Sequence, residues 1–191
     1  IGNGIELYYS SNYNVISRNT FTRNGFGVLD SYMNLVEGNT VNGKPLVYLQ
    51  SVTDCSVGDA GQVILVNCTD IRVENLNLSQ ASIGVQTWHT NNTIISGNNI
   101  TRNINGIWLS DSSSNSVNEN GMADNEEGIS LTDSPSNNIS RNNIVHNDHG
   151  IGLYSSSNNS MSQNKVTNNI YGISLKYRSS RNSITKNNIA A

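Results

Sequence analysis

Gly84, Gly106, Gly128, Gly150 and Gly172 stand 22 residues apart, and each precedes a branched aliphatic residue: Val85, Ile107, Ile129, Ile151 and Ile173. A fixed period of this length means that one supersecondary unit is copied and stacked, which leaves few folds open. Two positions later come Leu109, Leu131, Leu153 and Leu175, with Thr87 as the exception. That segment alternates as a strand does. Ile95, Val117, Ile139 and Met161 share a second phase, and Ile100, Met122, Ile144 and Val166 a third. Each unit therefore holds three short strands. Sequence this rich in Asn and β-branched residues is poor helix, so an α-solenoid is excluded and one coil of a three-sided parallel β-helix fits. The expected class is an all-β solenoid of about eight or nine coils.

The chain has 34 Asn, 27 Ser and 12 Thr against 2 Pro and 2 Phe, a composition that without periodicity would suggest disorder. Here the period gives Asn a structural use. Asn98, Asn120, Asn142 and Asn164 form one column, and Asn103, Asn125, Asn147 and Asn169 another. Coils about 4.8 Å apart would let these amides hydrogen-bond from coil to coil. Most of the Asn read as scaffold.

One β-helix domain over residues 1–191 is expected, in three stretches: 1–42, coils with length edits; 43–83, irregular coils with inserted turns; and 84–191, regular repeats. Gly4-Ile5-Glu6-Leu7 opens a coil of 23 residues running to Gly27, and irregular turns fall around Gly43-Lys44-Pro45 and from Ser51 to Gly61. Counting from Ile189 through Ala191 and on from Ile1 to Gly4 gives six steps, the spacing of Ile100 to Gly106. The ends are in register, which suggests head-to-tail self-association. The sequence has no initiator Met, signal peptide or polar cap and reads as part of a longer protein. Charged residues are 13% with a net charge of −3, too little basic field for nucleic acid or an anionic membrane surface. The longest apolar runs, such as Val63-Ile64-Leu65-Val66, are far short of the roughly 20 residues that span a bilayer, so no membrane insertion is expected.

The recurring N-x-I-x-x-N-x-x-G-I-x-L-x-x-S-x-x-N unit, together with Asn42-Gly43-Lys44-Pro45-Leu46 and the stretch from Ala60 to Cys68, resembles the NosD-like proteins. The resemblance covers nearly the whole chain. It implies a right-handed parallel β-helix of the CASH-domain group, which occurs in carbohydrate-binding proteins and sugar hydrolases. It also implies a cell-surface, secreted or periplasmic setting in archaea or bacteria. Such a repeat specifies the fold more than the activity. The copper maturation for which the family is named does not carry over, because the sequence has no dense Met, His or Cys cluster.

Candidate chemistry follows from position in the coil. Residues two and four after the repeat Gly face outward, which puts Tyr8, Trp88, Trp108 and Tyr154 on one face as a platform for sugar rings. Small residues continue that face: Ser110, Ser130, Thr132 and Gly152. One position further, His89, Asp111 and Asp133 stack in a column. Two carboxylates one coil apart are near the spacing of a retaining glycosidase, while Asp-Ser runs equally read as turn starters. Asp124 over His146 and Glu127 over His149 form a polar turn cluster that could take Zn²⁺ or Ca²⁺. Cys55 and Cys68, the only cysteines, could form a disulfide or remain as two free thiols.

The leading expectation is a module that binds polysaccharide or serves as a stalk on the cell surface. The alternatives are a polysaccharide-acting enzyme (glycoside hydrolase, lyase or epimerase type) using Asp111 and Asp133, with His89 as acid or base, and a head-to-tail structural assembly.

Overall fold

The computed structural model describes residues 2–190, and the count through Ile1 and Ala191 lies outside the described residues. The described chain is all β, with no helix, and winds through about 9 turns. From Lys44 onward three parallel sheets run the length of the stack, holding nine, seven and six strands. The nine-stranded sheet ends in two short N-terminal strands, of which Thr40–Val41 is antiparallel to Lys44–Gln50 across an Asn42-Gly43 turn. In the regular coils each residue pairs with the one 22 positions on: Ile107 with Ile129, and Ile129 with Ile151.

The period has two physical sources. Val85, Ile107, Ile129 and Ile151 from the first sheet, Ile95, Val117 and Ile139 from the second, and Leu78, Ile100 and Ile144 from the third fill one continuous core. Between them run buried columns of amides and hydroxyls. Asn98 Nδ2 donates to Asn120 Oδ1 (2.9 Å), Asn120 Nδ2 to Asn142 Oδ1 (3.0 Å) and Asn142 Nδ2 to Asn164 Oδ1 (3.0 Å). Asn103, Asn125, Asn147 and Asn169 repeat the pattern. A third column, Asn115, Asn137, Asn159 and Asn182, and a column of Ser112, Ser134, Ser156 and Ser179 accept backbone N–H groups from the preceding coil. Each column bonds turn groups that no strand can pair, so the corners stay dry without orphaned donors. The corners themselves are left-handed, as at Arg102, Asp111, Ser114 and Glu119, and recur every coil. In the coil nearest the C-terminal end of the described residues, Leu175, Ile184 and Ile189 are exposed.

The first two turns depart from the sequence reading. Glu6 pairs with Gly27 and Ile5 with Phe26, so the opening coil is shorter than the 23 residues read from Gly4 to Gly27, and Gly25 takes the place assigned to Gly27. These turns pack against the outer face of the first sheet. Val63 and Leu65 point into the main core, while Ile64 and Val66 point outward into a second cluster with Phe21, Phe26, Val28, Tyr32 and Val41. Two fully buried glutamines join the surfaces. Gln62 accepts the Phe26 N–H (3.0 Å) and donates to the Phe26 carbonyl (2.7 Å), and Gln86 donates to the Val28 carbonyl (2.6 Å). A Cβ on Gly25 would stand 2.6 Å from Gln62 Oε1, so only glycine permits this approach.

The seam carries buried phenols. Tyr48 donates to the Tyr32 carbonyl (2.8 Å), and burial pushes its pKa up to about 12; burial raises Tyr32 as well. A folded-state pKa above the unfolded value near 10 leaves this stabilisation whole below about pH 10, and it is lost as pH rises through about 12. In a Trp108→Phe background, emission from Trp88, which stacks on Tyr32 at 3.7 Å, is expected to report undocking of the first turns between those limits. Tyr48→Phe should move the transition to higher pH.

Candidate functional site

The outer face of the first sheet presents three columns. Asn105, Glu127, His149 and Tyr171 form one; Gln86, Trp108, Ser130 and Gly152 another; Trp88, Ser110, Thr132 and Tyr154 the third. The docked turns form a wall beside them. Between the wall and the sheet lies a cleft of about 360 Å³, bordered by Glu6, Tyr8, Val28 and Trp108. A second, of about 300 Å³, is bordered by Trp108, Glu127, Thr132 and Tyr154. The two share Ile104, Asn105 and Trp108, which makes one groove with the Trp108 indole at its centre.

Its far side is built by a small residue. A Cβ on Gly152 would meet the Tyr154 ring at 3.0 Å, so glycine lets that ring lie along the sheet and reach the column of Glu127. The Tyr154 hydroxyl donates to Glu127 Oε1 (3.1 Å), and Asn105 Nδ2 donates to Oε2 (3.2 Å). Burial, then the Glu127 charge, pushes the Tyr154 pKa up to about 12. Trp108 Nε1 donates to Thr132 Oγ1 (3.2 Å), which fixes the indole.

Trp88 faces another cavity. The segment Val28–Tyr32 passes between the two indoles, with Val28 and Leu29 on the cleft of Trp108 and Asp30 and Tyr32 on that of Trp88. Trp88 is stacked by Tyr32 (3.7 Å, 17°) and touched by His89 (3.9 Å) in a cleft of about 530 Å³. The expected shared platform of Trp88 and Trp108 is thus split. Tyr8 reaches the groove from the wall and not from the outward column to which the sequence assigns it.

His89, Asp111 and Asp133 do share one exposed corner on successive coils, each with a left-handed backbone (φ 45°, 47° and 47°). Their backbone N–H groups bond Ser110, Thr132 and Tyr154 carbonyls of the next coil, and Asp111 accepts a bond from Ser110 Oγ (3.3 Å). Neither Asp borders the groove around Trp108. The polar turn cluster is engaged elsewhere. Asp124 faces Arg102 (4.0 Å), Glu127 holds Tyr154 and Asn105, His146 meets Asn168 (3.3 Å), and His149 stacks on Tyr171 (4.7 Å). Among the described residues no three His, Cys, Asp or Glu are grouped to hold a metal ion, Asp124, Glu127, His146 and His149 included. Cys55 and Cys68 are free thiols, one of the two states that the sequence leaves open. Cys68 is buried at the core edge and donates to the Val66 carbonyl (3.3 Å), and burial pushes its thiol pKa up.

Stacked three-sided coils with a groove along one outer sheet define a parallel β-helix protein. Residues 47–190 match the family model described as periplasmic copper-binding protein (NosD), and the chain belongs to that family. No curated protein matches it in sequence. Among solved structures it is similar to the periplasmic alginate epimerase AlgG T265N mutant, with TM-score 0.61 and 16% identity over 91% of this chain and 50% of that one. It is also similar to DFA-IIIase from Arthrobacter chlorophenolicus A6 in complex with GF2, with TM-score 0.60 and 12% identity over 86% of this chain and 40% of that one. A third is the Azotobacter vinelandii mannuronan C-5 epimerase AlgE4 A-module, with TM-score 0.59 and 14% identity over 100% of this chain and 74% of that one. The chain thus spans two fifths to one half of the length of the first two. Identities this low establish a shared fold.

The donors present do not fit the copper in the family description. Met122 and Met161 are sealed in the core, Cys68 bonds backbone carbonyls, and Met33 receives the Tyr13 hydroxyl (3.4 Å). Soft-ligand sites for copper need such donors converging, and here they are dispersed.

Proposed function

We propose that this chain is an extracellular or periplasmic β-helix module that binds polysaccharide in the groove centred on Trp108. The observation that carries the reading is the fixed, partly exposed indole of Trp108 between Tyr8 and Tyr154, in a groove that combines aliphatic side chains such as Val28 and Ile104 with amides, hydroxyls and carboxylates. A sugar ring offers an apolar face to an aromatic plane and hydroxyls to its polar rim, and this groove supplies both. The likeness in fold to proteins whose names place them among alginate and mannuronan epimerases supports the class of ligand. The periplasmic description of the family and of one of those structures supports the setting.

The test is native affinity electrophoresis against a panel of neutral, amino and acidic polysaccharides, with the gels assayed for released sugar. Retardation without release is expected. Trp108→Ala should weaken it about tenfold or more, whereas Trp88→Ala, in the separate cleft beside Tyr32, should leave it within about twofold. Retardation by no glycan, or loss in Trp88→Ala alone, would overturn the reading.

A further inference from the structure

We propose that the groove selects glycans bearing protonated amino groups, of the glucosamine type, over neutral ones and rejects polyuronates; this rests on the reading that the groove around Trp108 binds saccharide. Three carboxylates border its two clefts, Glu6, Glu126 and Glu127, and no Lys, Arg or His is among the residues that line them. Glu127 is anchored by one donor on each oxygen, from Tyr154 and from Asn105, which leaves further acceptor capacity on both. Glu6, across the groove from Glu127, takes a bond from the Asn3 amide of its own strand. Two cations stand beside the groove without lining it. Arg102 faces Asp124 at 4.0 Å, outside both clefts, and Lys176 stands over the Tyr154 ring from the following coil, 5.4 Å from its centroid. A cleft with low-dielectric walls and one sign of charge concentrates the opposite sign. An ammonium on a ring stacked against Trp108 would find carboxylates along both walls, and a uronate there would meet like charge from the lining side chains.

The experiment is calorimetric titration at about pH 6 with four tetrasaccharides: glucosamine, N-acetylglucosamine, glucose and galacturonate. The glucosamine tetramer is expected to bind about fivefold or more tighter than its N-acetylated form and to weaken with salt, while the galacturonate tetramer gives no heat. Glu6→Gln with Glu127→Gln should bring the glucosamine to N-acetylglucosamine ratio close to one, and Glu37→Gln, outside the groove, should preserve it. Equal affinity for the two forms, with Trp108-dependent binding of both, would overturn this selectivity and leave the saccharide reading standing. Binding of the galacturonate tetramer in preference to the glucose tetramer would likewise overturn it. Absence of heat with all four, together with no retardation by any polysaccharide, would remove both.

Discussion

Asn142→Ala is expected to destabilise the stack by about 3–5 kcal/mol, while Asn143→Ala, one residue on, should change stability by less than about 0.5 kcal/mol. The difference lies in what each amide touches. Asn142 is 1% exposed, and its Oδ1 accepts both the backbone N–H and the Nδ2 of Asn120 at 3.0 Å. Its Nδ2 donates to the Val117 carbonyl (2.9 Å) and to Asn164 Oδ1 (3.0 Å). Alanine would strand donors on the coil before and acceptors around them. Asn143 is exposed on the strand beside it. Urea denaturation of both variants measures the contrast; similar midpoints would mean that the columns do not hold the coils.

Gly128→Ala is the second large effect, expected at about 2–4 kcal/mol, against a near-neutral Gly121→Ala. The cause at Gly128 is close approach and not a left-handed backbone. An added Cβ would stand 2.7 Å from the Gly150 carbonyl oxygen and 2.9 Å from Ile144 Cγ2. Backbone at that distance cannot yield without parting two coils, so the methyl would wedge the stack. At Gly121 the nearest atom is Asn99 Oδ1 at 3.9 Å, which is ordinary contact. Thermal unfolding of the pair checks the prediction, and equal melting temperatures would contradict it.

These two columns explain what the sequence could reveal. A glycine required by a neighbouring carbonyl, and an amide required by a neighbouring amide, must recur at the coil period, so Gly84 to Gly172 and Asn98 to Asn164 are visible as spacing alone. The serine column and the third amide column recur as well, as the S-x-x-N that closes the unit, for example Ser112 and Asn115, although the runs around them are rich in Ser and Asn. The docking of the first two turns was less legible, because it depends on the outward side of strands whose inward side sets the repeat. One signal was present. Val63-Ile64-Leu65-Val66 is apolar at every position, the mark of a strand buried on both faces, while Ile129-Ser130-Leu131-Thr132 alternates.

The groove was legible in part for the same reason. Trp108, Tyr154 and Tyr8 could be placed on the outer surface by alternation, but which aromatics share a cleft depends on where the wall runs. That wall separates Trp88 from Trp108. Gly152, an outward glycine in a column of Ser130 and Ser174, is the local clue that Tyr154 folds down toward Glu127. The sequence left the cysteines open between a disulfide and two free thiols; in the structure both are free, with Cys55 packed against the core cluster that buries Cys68.

With 2 Trp in the chain, an ¹⁵N-labelled protein gives two indole resonances, and their response to glycan tests the groove directly. Titrating the tetrasaccharide that binds best is predicted to shift the Trp108 Nε1–H signal, whose hydrogen bond to Thr132 lines the groove, and to leave the Trp88 signal in place. A shift confined to Trp88, or two unmoved signals with a glycan that retards the protein, would contradict the account.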